Sequence, residues 1–175
     1  MECLSPFKNL WLSDADFLRF LEDPQGYMAE EPVPDHMQAA VTVYDNGVYP
    51  VLRLGDIYLN CNHSSSMEQA VKDWKRRREK INWDFTVAVM PTAKRTFVDK
   101  LKRLDTVDRI LCIVPYKSGD PFSISLPFSN AEQDVYGWIN AVNATAYSYR
   151  NPFDMYSLFF GELKDNEYYD PALKS

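Results

Sequence analysis

The chain has 175 residues, 46% hydrophobic and 25% charged, which is enough to bury a sizeable core and too apolar for wholesale disorder. Its net charge of -6 argues against non-specific attraction to nucleic acid or to an anionic membrane. No apolar run approaches the length of a membrane span, so direct membrane insertion is not expected. The three cysteines, Cys3, Cys61 and Cys112, are odd in number and lack paired spacing. They read as small hydrophobes in a reducing compartment, not as a disulfide framework or a zinc site. The start, MECLSPFKNLWL, has an acidic second residue and no basic stretch before an apolar run, so the expectation is a cytoplasmic protein without a secretory leader. At this length a single domain, 1–175, is expected.

The first predicted helix opens at Ser13, an N-cap, with Asp14 and Asp16 at the positive end of its dipole. Phe17, Leu18, Phe20 and Leu21 form its apolar face, and it stops near Asp23-Pro24. Asp14-Ala15-Asp16 also has the spacing of the acid pair with which many glycosyltransferases hold a metal and a sugar nucleotide. That pair belongs on a loop at a strand end, and here helix-start chemistry accounts for it. Ala29–Asp35 is an acidic, proline-containing connector.

An antiparallel meander follows. Ala39–Tyr44 reads as a strand, Asp45-Asn46-Gly47 as a hairpin turn and Val48–Leu54 as the return strand, with Pro50 marking an edge or a strand start. Gly55-Asp56 suits a second two-residue turn leading into Ile57–Asn62. Ser66 and Gln69 then fit a capping box. In the long helix beyond, Met67, Ala70, Val71, Trp74 and Ile81 fall on one stripe. Arg78 sits in the middle of that stripe. The expectation is a clasp in which its methylenes lie on the core and its guanidinium pairs with Asp56 or Asp84.

Asp84–Met90 is a short β-branched run, expected parallel to Ile57–Asn62 through a right-handed crossover. A helix starting at Thr92 or Ala93 turns Phe97, Val98, Leu101 and Leu104 inward, and Arg109–Val114 is the next strand. The fold class is therefore α/β: a mixed sheet in which the meander leads into a parallel βαβαβ unit with helices on both faces. Phe122–Phe128 alternates like a half-exposed strand. Ala131–Val142 reads as a helix with Val135, Trp138, Ile139 and Val142 inward. Asn151-Pro152 caps a short aromatic helix over 153–163.

Glycine-rich phosphate loops, H-E-x-x-H, C-x-x-C and G-x-S-x-G are all missing from the sequence, and its two histidines cannot build a multi-histidine metal site. The sequence leaves the cofactor and the metal requirement open. What remains is position, because ligands of parallel sheets bind beyond the carboxyl ends of the strands. Asn62-His63-Ser64-Ser65-Ser66, Pro91-Thr92-Ala93-Lys94 and Pro115–Asp120 are expected to converge there. His63 is the candidate acid/base, since imidazole exchanges protons near neutrality. Asn62, Ser64, Ser65, Ser66, Lys94, Tyr116, Lys117 and Asp120 are the candidate substrate-binding residues, and the helix start would receive the phosphate of a small anion such as a sugar nucleotide. The bland alternatives are a locally bonded His63 and solvated lysines. The basic run Lys72, Lys75, Arg76, Arg77, Arg78 and Lys80 is interrupted by Asp73 and Glu79. It reads as a solvated face, and nucleic-acid binding is not expected.

Tyr49-Pro50-Val51, Asp56-Ile57, the strand ending in His63, and Trp74-Lys75-Arg76-Arg77 through Ile81-Asn82 resemble a bacterial family, domain-of-unknown-function family 1919. Ser5-Pro6, Ser13–Phe17 and Arg150–Asp154 fit the same family, so the resemblance spans nearly the whole chain. Its members are often labelled exopolysaccharide biosynthesis proteins. The resemblance implies an α/β fold and a role in surface-polysaccharide assembly, and it supplies no catalytic residues. Relatives usually begin with a further strand and a polar, glycine-containing loop before the Ser-Pro, whereas here Met1–Leu4 precede it. The resulting expectation is a sugar-nucleotide-dependent or other group transferase. The alternative is a non-catalytic binding or scaffold module using the aromatic C-terminal third.

Overall fold

A computed structural model describes residues 5–7, 10–37, 49–120, 122–126, 128–131, 133–134 and 137–142. The chain divides into two compact units, Met1–Asp84 and Phe85–Ser175. The fold is mixed α/β, with a three-stranded antiparallel sheet in the first unit and a three-stranded parallel sheet in the second.

In the first unit, α1 (Asp14–Glu22) begins as its sequence dictates. Ser13 Oγ accepts the Asp16 N–H at 3.1 Å, and Asp16 takes both the Ser13 hydroxyl and Arg19. The Asp14–Asp16 pair is thus absorbed in starting a helix. The chain does not become a simple connector after Pro24. Asp23 caps a second helix, α2 (Pro24–Ala29), with proline in its first turn, where its missing N–H costs nothing. The connector then supplies β1 (Val33–Pro34), which pairs antiparallel with β2 (Val51–Leu54). The strand and turn expected over 39–47 lie outside the described residues.

β2 and β3 (Ile57–Asn60) form the expected hairpin, with Leu54 opposite Ile57. Gly55 has φ +59 and is the first central residue of the turn, the glycine-requiring position of a type II′ hairpin. Val51 and Leu52 are successive residues that point to opposite faces, and each is at most 2% exposed, so this sheet is covered on both sides. α1 packs on β3, and α3 (Met67–Arg78) packs on β1 and β2. Aromatic side chains bind these layers together. Phe7 stands edge-on to Phe20 at 4.6 Å and to Phe17 at 5.9 Å, and lies 5.9 Å from the buried Trp74.

In the second unit, β4 (Val87–Pro91), β5 (Arg109–Val114) and β6 (Ser123–Ser125) run parallel in that order, with α4 (Arg95–Leu101) linking the first two. The pairing expected between Ile57–Asn62 and Asp84–Met90 does not form. β3 pairs with β2, and β4 pairs with β5 in a separate sheet. Local patterning marks a run as a strand without naming its neighbour. β6 is also more enclosed than its alternation implied, because Ser123, Ile124 and Ser125 are all buried. Leu111, Ile113 and Ile124 meet Trp138 and Val142, from the helical residues 137–142, on one face. Ile110, Cys112 and Val114 therefore point to the other.

Leu59 is fully buried at 0% exposure, so Leu59→Ala is expected to cost about 2–5 kcal/mol in urea unfolding. A second expectation concerns Tyr27. Its hydroxyl donates to Asp56 Oδ1 at 2.5 Å, and this bond, followed by burial, pushes its pKa from 10.0 to about 12. The folded value lies above the ordinary one, so the bond's contribution is whole below pH 10 and is lost as pH rises through about 12. Wild type should therefore lose stability over that window, and Tyr27→Phe should lose less, in melts followed by circular dichroism.

Candidate functional site

The expected site residues fall into two groups. The first group sits where β3 hands over to α3. Asn60 exchanges backbone hydrogen bonds with Trp11, Cys61 is buried, and the Ser64 N–H donates to Cys61 O at 2.9 Å. That turn leaves His63 exposed at its apex, with Ser65 and Ser66 exposed behind it. Ser66 caps the helix as expected, its Oγ accepting the Gln69 N–H at 3.1 Å. The reciprocal half of the capping box is not made, because the Gln69 amide turns along the helix to Asp73 Oδ2 at 2.9 Å. Helix geometry leaves the N–H groups of the first turn facing outward beside His63, although Glu68 shares that end. Asn62 is half-buried, and its side-chain oxygen is enclosed without a hydrogen bond.

The second group belongs to the parallel sheet. Pro91 of β4 lies opposite Ile113 of β5, and the Thr92 N–H continues the ladder to Ile113 O at 2.9 Å. The two loops that leave these strands are therefore neighbours. Thr92 is buried and its Oγ1 accepts the Lys94 N–H at 3.2 Å, which fixes the turn into α4. The next residue, Arg95, lays its guanidinium over the Tyr116 ring at 3.7 Å. Burial raises the Tyr116 pKa and the Arg95 charge opposes that rise. Lys117 is exposed beside them. Arg95 was missed from sequence because attention to the strand-end loop stopped at Lys94. The adjacent Lys94-Arg95 pair was the available signal.

Two expectations need correction. His63 and its neighbours follow a strand of the antiparallel sheet, whereas Lys94, Tyr116 and Lys117 follow strands of the parallel one. The single sheet edge that was to gather all of them is not formed. Asp120 also does not line a rim. The 115–122 segment returns to the start of β6, the Asp120 carboxylate pairs with Lys102 at the end of α4, and its Oδ1 accepts the Phe122 N–H at 3.0 Å. The backbone of Ser118 in the same segment is tied to Ser125 Oγ at 2.8 Å.

Arg78 is a clasp, but with other partners. Its Nη2 donates to Glu31 Oε1 at 2.7 Å and its Nη1 to Glu30 O at 2.9 Å, whereas Asp56 is held by Tyr27 and Arg19. Lys75 also reaches Glu31, at 2.6 Å. These two cations, Lys75 first, hold the Glu31 carboxyl below its ordinary value. Arg76 pairs with Asp73, and Arg77 reaches the Pro6 carbonyl. Most of the basic run is thus committed within its own unit. An open groove of about 680 Å³ beside Pro34 exposes Met67, Val71 and Lys72 of α3, with Glu68 and Glu79 offsetting its cations.

Among the described residues, no cluster of three or more His, Cys, Asp or Glu could hold a metal ion, and no helix is long and apolar enough to cross a membrane. The arrangement is that of an α/β protein with polar loops following β3, β4 and β5, the last two carrying Lys94 and Lys117. Residues 1–160 match the family described as Domain of unknown function (DUF1919), and the chain belongs to that family. It is also similar to an uncharacterized protein of Haemophilus influenzae, 32% identical over 80 residues, which make up 46% of this chain and 35% of the relative. The matched stretch thus spans about a third of that relative's length.

Both described cysteines are enclosed, and desolvation pushes their thiols up, Cys61 to about 12 and Cys112 to about 11. Since the thiolate is the reactive form, peptide mapping after native iodoacetamide treatment is expected to find both unmodified. Both should label after denaturation.

Proposed function

We propose that this protein serves cell-surface polysaccharide assembly in the cytoplasm as a group transferase, taking a phosphate-bearing sugar donor at the His63 turn. The polysaccharide role follows from the labels carried by members of its family. The observation that carries the site is the exposed His63 at the apex of a bonded turn, immediately before the serine-capped start of a 12-residue helix. Ser64, Ser65 and the first-turn N–H groups supply donors for a phosphate oxygen. His63 supplies the imidazole that takes a proton from the acceptor hydroxyl as its oxygen bonds to the donor's anomeric carbon; the bond from that carbon to the phosphate oxygen breaks, and the phosphate-bearing group leaves. A second reading, a non-catalytic binding module, draws on the exposed side chains of Phe85 and Phe122 in the second unit, at 44% and 42%, since exposed apolar surface suits docking.

A thermal-shift panel of nucleotide sugars, with and without divalent metals, is expected to give an upward shift with at least one donor. His63→Gln should keep that shift and lower transfer to an acceptor glycan by about 100-fold or more. Binding without turnover in wild type would favour the module. No shift with any donor would overturn the transferase reading.

A further inference from the structure

We propose that the carboxyl edge of the parallel sheet carries a phosphoryl-binding site of its own, built on Arg95 stacked over Tyr116 and flanked by Lys94 and Lys117. It is independent of the His63 turn, and its ligand is the phosphate group of a small phosphate ester or diphosphate.

Local charge is the first argument. The protein is net -6, yet the loops that leave β4 and β5, at 92–95 and 115–118, carry Lys94, Arg95 and Lys117 and no acid. The loops that end β4 and β5 are therefore a positive island on an acidic chain, and such an island concentrates small anions. Asp99, the acid nearest to Arg95 along α4, lies 3.8 Å from Lys102 and forms no ion pair with Arg95 among the described residues.

The second argument is how Arg95 is held. Arg19, Arg76 and Arg78 each have a carboxylate partner. Arg95 instead has an aromatic ring 3.7 Å from its Cζ. Stacking occupies the face of a guanidinium and leaves the N–H donors at its edge free to grip an oxyanion. The ring also removes much of the side chain's freedom before any ligand arrives, which lowers the ordering cost of binding. Tyr116 is itself half-buried, and its loop is anchored where the Phe128 N–H reaches Pro115 O at 3.2 Å. Lys94 stands next to Arg95 on a turn closed by the buried Thr92. The stack thus brings cations from two strand-end loops together at the edge where parallel sheets receive ligands.

Isothermal titration of the whole chain with inorganic pyrophosphate at low salt tests the site. Saturable binding is expected. Arg95→Ala should weaken it by about tenfold or more, and Arg95→Lys by severalfold, because an ammonium lacks the bidentate fork. Tyr116→Phe, which keeps the ring, should bind as wild type, and Tyr116→Leu should bind like Arg95→Ala. Lys72→Ala should leave affinity unchanged. Absence of saturable binding would overturn the proposal. So would wild-type affinity in Arg95→Ala, or an equal loss in Lys72→Ala, which would mark general charge attraction. Should Arg95→Ala melt early, the contrast between the two Tyr116 variants decides.

Discussion

The first unit depends on one aromatic contact group. Phe7, ahead of the first helix, touches Phe17 and Phe20 of α1 and Trp74 of α3. Phe20 reaches on to Tyr27 of α2 at 6.1 Å. Edge-on aromatic pairs contribute about 0.5–1.5 kcal/mol each beyond the area they bury, so the group outweighs any one surface ion pair. Trp74 is 1% exposed, and seating its indole sets the rotation of α3. That rotation determines where the serine-capped start of the helix, and with it His63, meets solvent.

The far end of α3 is fixed by polar contacts. Arg78 spends its guanidinium on the carbonyls at the end of α2 and on Glu31, and Lys75 joins it there. Each cation sits near a helix C-terminus or a carboxylate, where positive charge is favoured. Glu31 is largely exposed, so water screens the ion pairs and the carbonyl bonds from a less exposed Arg78 set the geometry. The basic helix is therefore a fastening between α3 and the segment that leads into β1.

Much of this was legible in the residues. Ser13 and Ser66 announced their helices, Gly55 announced its turn, and the inward set of Phe97, Val98 and Leu101 on α4 followed from helical spacing. Three things were not, and each is a long-range matter. Nothing local in Val87–Pro91 says that its partner is Arg109–Val114 and not Ile57–Asn60. Nothing in Arg78 names Glu31 over Asp56, since both acids lie in short polar connections. The serines of β6 look solvent-facing by alternation, and they are buried because the segment carrying Asp120 and Ser118 closes over them. The candidate site was misjudged for the first of these reasons. His63, Lys94 and Tyr116 follow strand ends, but the ends belong to different sheets, and Asp120 lies at the start of β6.

The small bridge between Trp11 and Asn60 has a consequence for the molecule among its own copies. It occupies the outer margin of β3 with two backbone bonds, while among the described residues the opposite margin of the same sheet is β1, two residues long and containing a proline. A ribbon so short on one border and already engaged on the other gives a stray strand from another polypeptide little to lengthen. At high concentration the borders of this sheet should therefore not be where copies of the protein associate into fibres.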